Sequence, residues 1–213
     1  MRYQGILFDL DGVLCSTDRF HYAAWQQTAR EAGAPFDEAV NQRLRGVGRM
    51  ESLEIILAGS ARTFTETEKQ RMAEEKNERY RALLRQMTPA DMPGAVRRAL
   101  EQLRAAGLKL AVGSSSKNAR FILRQLQAED CFDAVCDGTQ IQNSKPDPEV
   151  FLKAAAMLGL PPAACLVVED APAGLQAARA GGMDCAFVGS APRPFPPAYI
   201  LHDVTELPGA ILG

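Results

Sequence analysis

Phe8-Asp9-Leu10-Asp11-Gly12-Val13 sets two carboxylates one residue apart, directly after the apolar run Gly5-Ile6-Leu7-Phe8. A carboxylate at Asp9 can attack phosphorus, and an acid two positions on can reach the bridging oxygen of the leaving or attacking alcohol, serving as general acid and base. Gly12 lets the chain turn sharply around such a site. The pattern alone also suits a solvated turn after a strand, so the weight rests on three further groups later in the chain. Lys145-Pro146-Asp147-Pro148 supplies a cation beside a rigid proline, Glu169-Asp170 adds adjacent acids after the apolar Cys165-Leu166-Val167-Val168, and Ser114 succeeds Lys109-Leu110-Ala111-Val112-Gly113. A hydroxyl and a lysine can hold phosphoryl oxygens. Asp9 and Asp170, with the main-chain carbonyl of Asp11, supply hard oxygen ligands for magnesium, and Glu169 stands near the ion, bound directly or through water. Taken together, the pieces point to magnesium-dependent phosphoryl transfer through a phosphorylated Asp9.

Elements must bring these residues together. Apolar runs at 5–8, 109–113, 134–136, 165–168 and 185–188 read as strands, with helical periodicity between most of them. Such alternation predicts an α/β fold with a Rossmann-like, mostly parallel sheet covered on both faces, in which ligands collect beyond the carboxyl ends of the strands. Asp9, Ser114 and Glu169-Asp170 all sit at such ends. From about Thr17 to Thr88 the alternation stops and helical patterns succeed one another, as in an inserted all-helical domain. Its last helix is the clearest: Ala73, Tyr80, Leu84 and Met87 share a face, Glu75 and Arg79 form an i,i+4 pair, and Thr65 or Thr67 can cap the start. Proline and glycine at Thr88-Pro89 and Met92-Pro93-Gly94 close the insertion. The expected division is residues 1–14 and 93–213 for the α/β core and 15–92 for the helical cap. Ala191 to Pro197 is too proline-rich for regular structure and reads as a surface connection.

The chain has 213 residues, 46% hydrophobic and 23% charged, with a formal net charge of −2, which gives no electrostatic footprint for nucleic acid. The opening apolar run is broken at once by acids, so neither a signal peptide nor a membrane span is expected, and the expected location is cytoplasmic, without nucleic-acid or membrane partners. No sticky apolar helix stands out, so a monomer is expected. The five cysteines, at 15, 131, 136, 165 and 185, lack metal-ligand spacing and read as reduced, mostly buried thiols.

The order DxDGV, strand-end serine, KPxP, then ED resembles the haloacid dehalogenase superfamily of phosphotransferases along the whole chain. Its dehalogenase members lack the second acid and the metal site, so the resemblance implies phosphoryl transfer here, with the helical insertion as a cap that excludes water. A closer resemblance, to the β-phosphoglucomutase family, rests on Thr17 to Trp25, Arg45-Gly46-Val47-Gly48-Arg49-Met50-Glu51-Ser52-Leu53, Lys76-Asn77 and Ser114-Ser115-Ser116-Lys117-Asn118. It implies interconversion of β-glucose 1-phosphate and glucose 6-phosphate through an aspartyl phosphate and a sugar 1,6-bisphosphate, which also primes the enzyme. It further implies that Arg49, Lys117 and Asn118 hold the second phosphate and that His21 hydrogen-bonds the acid–base residue Asp11. Thr17, Trp25, Arg45, Gly46, Val47, Ser52, Lys76, Ser115 and Ser116 are implied as further sugar, loop or phosphate contacts. Lys117-Asn118 also reads as the capped start of a helix, and Lys76 reads equally as a surface lysine. Departures are Arg45 for a common lysine, Gly48 for serine, Ser16 for an acid and Ser115 for alanine; the guanidinium of Arg45 bears on sugar preference. The same catalytic groups with water as acceptor make a sugar-phosphate phosphatase, and a non-catalytic sugar-phosphate sensor fits poorly because both acids are present.

Overall fold

The computed structural model describes residues 2–44, 47–190 and 196–213. The chain divides into two compact units, one formed by residues 1–16 and 87–213 and the other by residues 17–86. The second junction lies earlier than the Met92-Pro93 signal suggests. Met87 and Met92 are both buried, and Thr88 and Asp91 cap a single 3-10 turn between them, so this segment folds with the sheet unit and not with the insertion.

The unit from 17 to 86 contains only helices among its described residues: α1 (Asp18–Ala32), α2 (Glu38–Gln42), α3 (Arg49–Leu57) and α4 (Glu66–Leu84). Trp25, Ala29, Leu53, Ile56, Met72 and Ala73 form its apolar core. Helix α1 stops at Gly33, whose φ of 65° is the left-handed conformation glycine adopts freely, and its amide returns to the carbonyls of Ala29 and Arg30. Helix α4 starts with a reciprocal capping box between Thr65 and Glu68. The Glu75–Arg79 pair forms at 3.7 Å, but Arg79 makes its shorter contact, 2.8 Å, with Glu31 and so ties α4 to α1.

The other unit is built on six parallel strands, β1 (Gly5–Phe8), β2 (Lys109–Gly113), β3 (Ala134–Cys136), β4 (Cys165–Glu169), β5 (Asp184–Val188) and β6 (Tyr199–Leu201), in the order β3-β2-β1-β4-β5-β6. The helices α5 (Gly94–Ala105), α6 (Ala119–Gln125), α7 (Glu149–Met157), α8 (Pro172–Ala180) and α9 (Leu207–Leu212) alternate with them. The central strands β1 and β4 are buried along their length and β2 is buried beyond Lys109, as an all-parallel sheet covered on both faces requires. Strand β6 has no counterpart among the five apolar runs. It is three residues long, lies at the sheet edge and comes after the proline-rich stretch, of which residues 191–195 fall outside the described part.

In this order the chain runs outward in opposite directions from β1, so the switch point lies between β1 and β4, where open α/β sheets bind ligands. Phe8 is in register with Val112 on one side and Val168 on the other. The next residues, Asp9, Gly113 and Glu169, therefore emerge together from one edge of the sheet.

Candidate active site

Asp9 leaves β1 with its amide bonded to the carbonyl of Val168 at 2.9 Å, and its side chain is largely buried. The next turn is tight: the amides of Leu14 and Cys15 return to the Leu10 carbonyl, and Gly12 donates to the Cys15 carbonyl at 2.8 Å. Gly12 has φ 83°, and a Cβ there would lie 2.1 Å from Oδ2 of Asp170. Glycine is required twice over, for the backbone turn and for the carboxylate that approaches it.

Lys145 closes the cluster. Its Nζ donates to Asp9 Oδ1 at 2.5 Å and to Glu169 Oε1 at 2.6 Å, with 10% of the side chain exposed. Burial alone would lower this ammonium, but Asp9 and then Glu169 outweigh it and hold it above the usual lysine range. Glu169 is fully enclosed. Its other oxygen accepts the amides of Asp170 and Ala171 at 2.9 and 2.8 Å, and a Cβ on Gly174 would meet that carboxylate at 1.8 Å. The requirement for Gly174 has no sequence signal, since a glycine inside a helix pattern carries no hint of the carboxylate packed on it.

Oxygens of Asp9, Glu169 and Asp170 lie within 4.8 Å of one another. Burial, then the charges of Glu169, Asp9 and Asp11, push Asp170 up to about 7. Three crowded hard-oxygen donors whose repulsion a single lysine does not relieve fit a divalent ion such as magnesium. Asp11 is half-buried, and its carboxylate is not one of this group of three. Ser114 is buried one residue beyond β2; its amide bonds the Cys136 carbonyl and its Oγ accepts the amide of Ser116. Ser115 Oγ accepts the amide of Lys145 at 3.4 Å, so this residue braces the lysine loop. Lys117 is exposed, and Asn118 is the N-cap residue of α6, so the helix starts where the sequence placed it; the Asn118 side chain makes no cap bond, and the Ser116 hydroxyl accepts the Asn118 amide.

Within the helical unit a second cluster forms. Lys76 is not a surface lysine: it is 3% exposed, 2.9 Å from Nδ1 of His21, and sits 4.3 and 4.9 Å over the rings of Trp25 and Tyr80. Burial and the Arg49 charge push it down to about 7. His21 stacks on Tyr80 with centroids 4.0 Å apart, and burial, Lys76 and Arg49 together lower it to about 3. Tyr80 reads from spacing only as core; it lies four residues after Lys76 on the same helical face, which was the available signal. Its hydroxyl donates to Thr17 Oγ1 at 3.0 Å, leaving Thr17 fully buried. Ser52 is buried and donates to the half-buried Val47. Arg49 is exposed and donates to Asn77 at 3.0 Å. Arg45 and Gly46 lie outside the described residues. The five cysteines are free, four of them buried.

An all-parallel sheet in this order, with an aspartate at the end of its first strand and a lysine and paired acids converging on it, defines a class, and the sequence profile of the haloacid dehalogenase-like hydrolases matches residues 3–182. The chain belongs to that family. Among individual relatives it is 43% identical to the β-phosphoglucomutase of Bacillus subtilis over 87% of this chain and 83% of that one. It is 34% identical to the phosphorylated carbohydrates phosphatase of Thermotoga maritima, over 85% of this chain and 82% of that one. The crystal structure of β-phosphoglucomutase from Clostridium difficile superposes with a TM-score of 0.80 at 38% identity, covering 88% of this chain and 85% of that one. No helix among the described residues is long and apolar enough to cross a membrane.

Proposed function

We propose that this chain is a sugar phosphomutase that interconverts β-glucose 1-phosphate and glucose 6-phosphate. The observation that carries phosphoryl transfer is the Asp9 carboxylate held on the Lys145 ammonium beside two further acids. The choice of a mutase is supported by the 43% identity to a β-phosphoglucomutase, against 34% to a phosphatase.

In the proposed cycle an Asp9 oxygen attacks one phosphorus of a sugar 1,6-bisphosphate. The phosphorus–sugar oxygen bond breaks as Asp11 gives its proton to the departing oxygen, leaving an aspartyl phosphate and a sugar monophosphate. In the return half, ionised Asp11 takes the proton from the free hydroxyl of the other monophosphate as that oxygen attacks the aspartyl phosphorus, the bond from phosphorus to the Asp9 oxygen breaks, and the Asp9 carboxylate is restored. Lys145 and Ser114 hold the transferring oxygens. Asp9, Asp170 and the Asp11 carbonyl, with Glu169 beside them, would hold magnesium, which when bound neutralises charge on the phosphoryl group. The second phosphate needs a cation of its own. Lys117 with Asn118 is the candidate in the sheet unit, and Arg49 is the candidate in the helical unit.

The test supplies magnesium, β-glucose 1-phosphate and a trace of glucose 1,6-bisphosphate. Glucose 6-phosphate with little free phosphate is expected. Phosphate released in proportion to substrate consumed would replace this reading with the hydrolytic one, which the 31% identity to the fructose-1-phosphate phosphatase of Escherichia coli also keeps in view.

A further inference from the structure

Phe151 has no part in the cycle above, yet it touches Lys145 and the residue that precedes Ser114. Its ring is fully buried in α7, and Nζ of Lys145 stands 4.6 Å from the ring centroid. On the other side the ring presses on β2: a Cβ at Gly113 would lie 2.8 and 3.0 Å from Cδ1 and Cε1 of Phe151. Only glycine at the residue before Ser114 admits the ring.

We propose that Phe151 is a positioning residue that fixes Lys145 relative to Ser114 through the face and the edge of one buried ring. This rests on the reading of Asp9 as the phosphorylated nucleophile. Before reaction the ammonium is shared between the carboxylates of Asp9 and Glu169. Once Asp9 carries a phosphoryl group the charge moves from its carboxylate to the phosphoryl oxygens, and Nζ must turn from Asp9 Oδ1 to those oxygens while Glu169 still holds it from the other side. The negative face of the ring is unchanged by the chemistry, and its attraction for a desolvated cation gives Nζ a fixed point of reference while its anionic partners change. Gly113 completes the arrangement, because the strand end that presents Ser114 rests against the same ring.

Phenylalanines with one, three and five ring fluorines, incorporated at position 151 of the full chain, drain the negative face stepwise at nearly constant shape. The readout is affinity for beryllium trifluoride with magnesium, an aspartyl-phosphate mimic, beside the thermal midpoint. Affinity is expected to fall in step with fluorination, by about tenfold at five fluorines, equivalent to about 1.4 kcal/mol, with an unchanged midpoint. Phe151→Leu should lose at least as much. Equal affinity across the series, or affinity that falls only with the midpoint, would reduce Phe151 to core packing. If the parent chain itself captures no beryllium trifluoride, the assignment of Asp9 fails and the role of Phe151 falls with it; that outcome is distinct from a parent that binds and a series that stays flat.

Discussion

Two lysines withdrawn from water, one in each unit, reach opposite electrostatic ends. Lys145 lies between two carboxylates and is held charged well past the ordinary range, whereas Lys76 lies among a histidine and two aromatic rings and is pushed down to about 7. Burial acts on both in the same direction; the neighbours decide the outcome. A permanent cation suits a group that must hold a dianion through every step, while a lysine near 7 changes charge within the working pH range.

The substitutions that press hardest on this contrast begin with the carboxylate Lys145 serves. Asp9→Asn should lower turnover by on the order of 10⁴-fold or more, measured as the steady-state rate with saturating magnesium. A loss under tenfold would detach Lys145 from the chemistry. Lys145→Ala should come next, with kcat reduced by roughly 10²- to 10³-fold, the scale for removing one donor to a developing charge. It should also destabilise the chain by roughly 3–5 kcal/mol in urea, because Glu169 and Asp9 are left as buried acids without their shared counter-charge. Gly12→Ala adds a Cβ where the Asp170 carboxylate sits and strains the turn at φ 83°. Metal affinity, read by magnesium titration of activity, should weaken by about tenfold to a hundredfold.

The smallest effect belongs to Lys76. Its folded value, about 7, lies below the usual lysine value, so between the two the unfolded chain binds more protons and stability rises with pH. Below about 7 both states are protonated and the penalty for burying the charge is fully present. The parent should therefore gain on Lys76→Met as pH rises from about 7 to 10, by up to about 1.4 kcal/mol per pH unit, in urea midpoints taken across that range. A constant difference would show that Lys76 stays charged.

The same contrast explains what could be read from the sequence. Asp9, Lys145 and the Glu169-Asp170 pair were legible because each is a recognisable local pattern, a strand-end acid or a proline-flanked lysine, and because their occurrence together in one order along the chain outweighs the surface reading each has alone. The five buried strands were legible from their apolar runs. Lys76 was not, because a lysine in a charged helix signals solvent, and the histidine that meets it comes 55 residues earlier in the chain. Gly174 and Phe151 were hidden for a related reason: each is an ordinary residue of an apolar helical pattern until the group it faces is known. Strand β6 escaped because three residues after a run of prolines carry too little periodicity to mark an element.

The most direct test is to mix the protein with magnesium and glucose 1,6-bisphosphate, quench within one turnover, and weigh and map the chain. The account predicts a gain of one hydroxylamine-labile phosphoryl group, confined to the peptide carrying Asp9. Turnover with no phosphorylated protein at any time point, or a phosphoryl group on another residue, would contradict it.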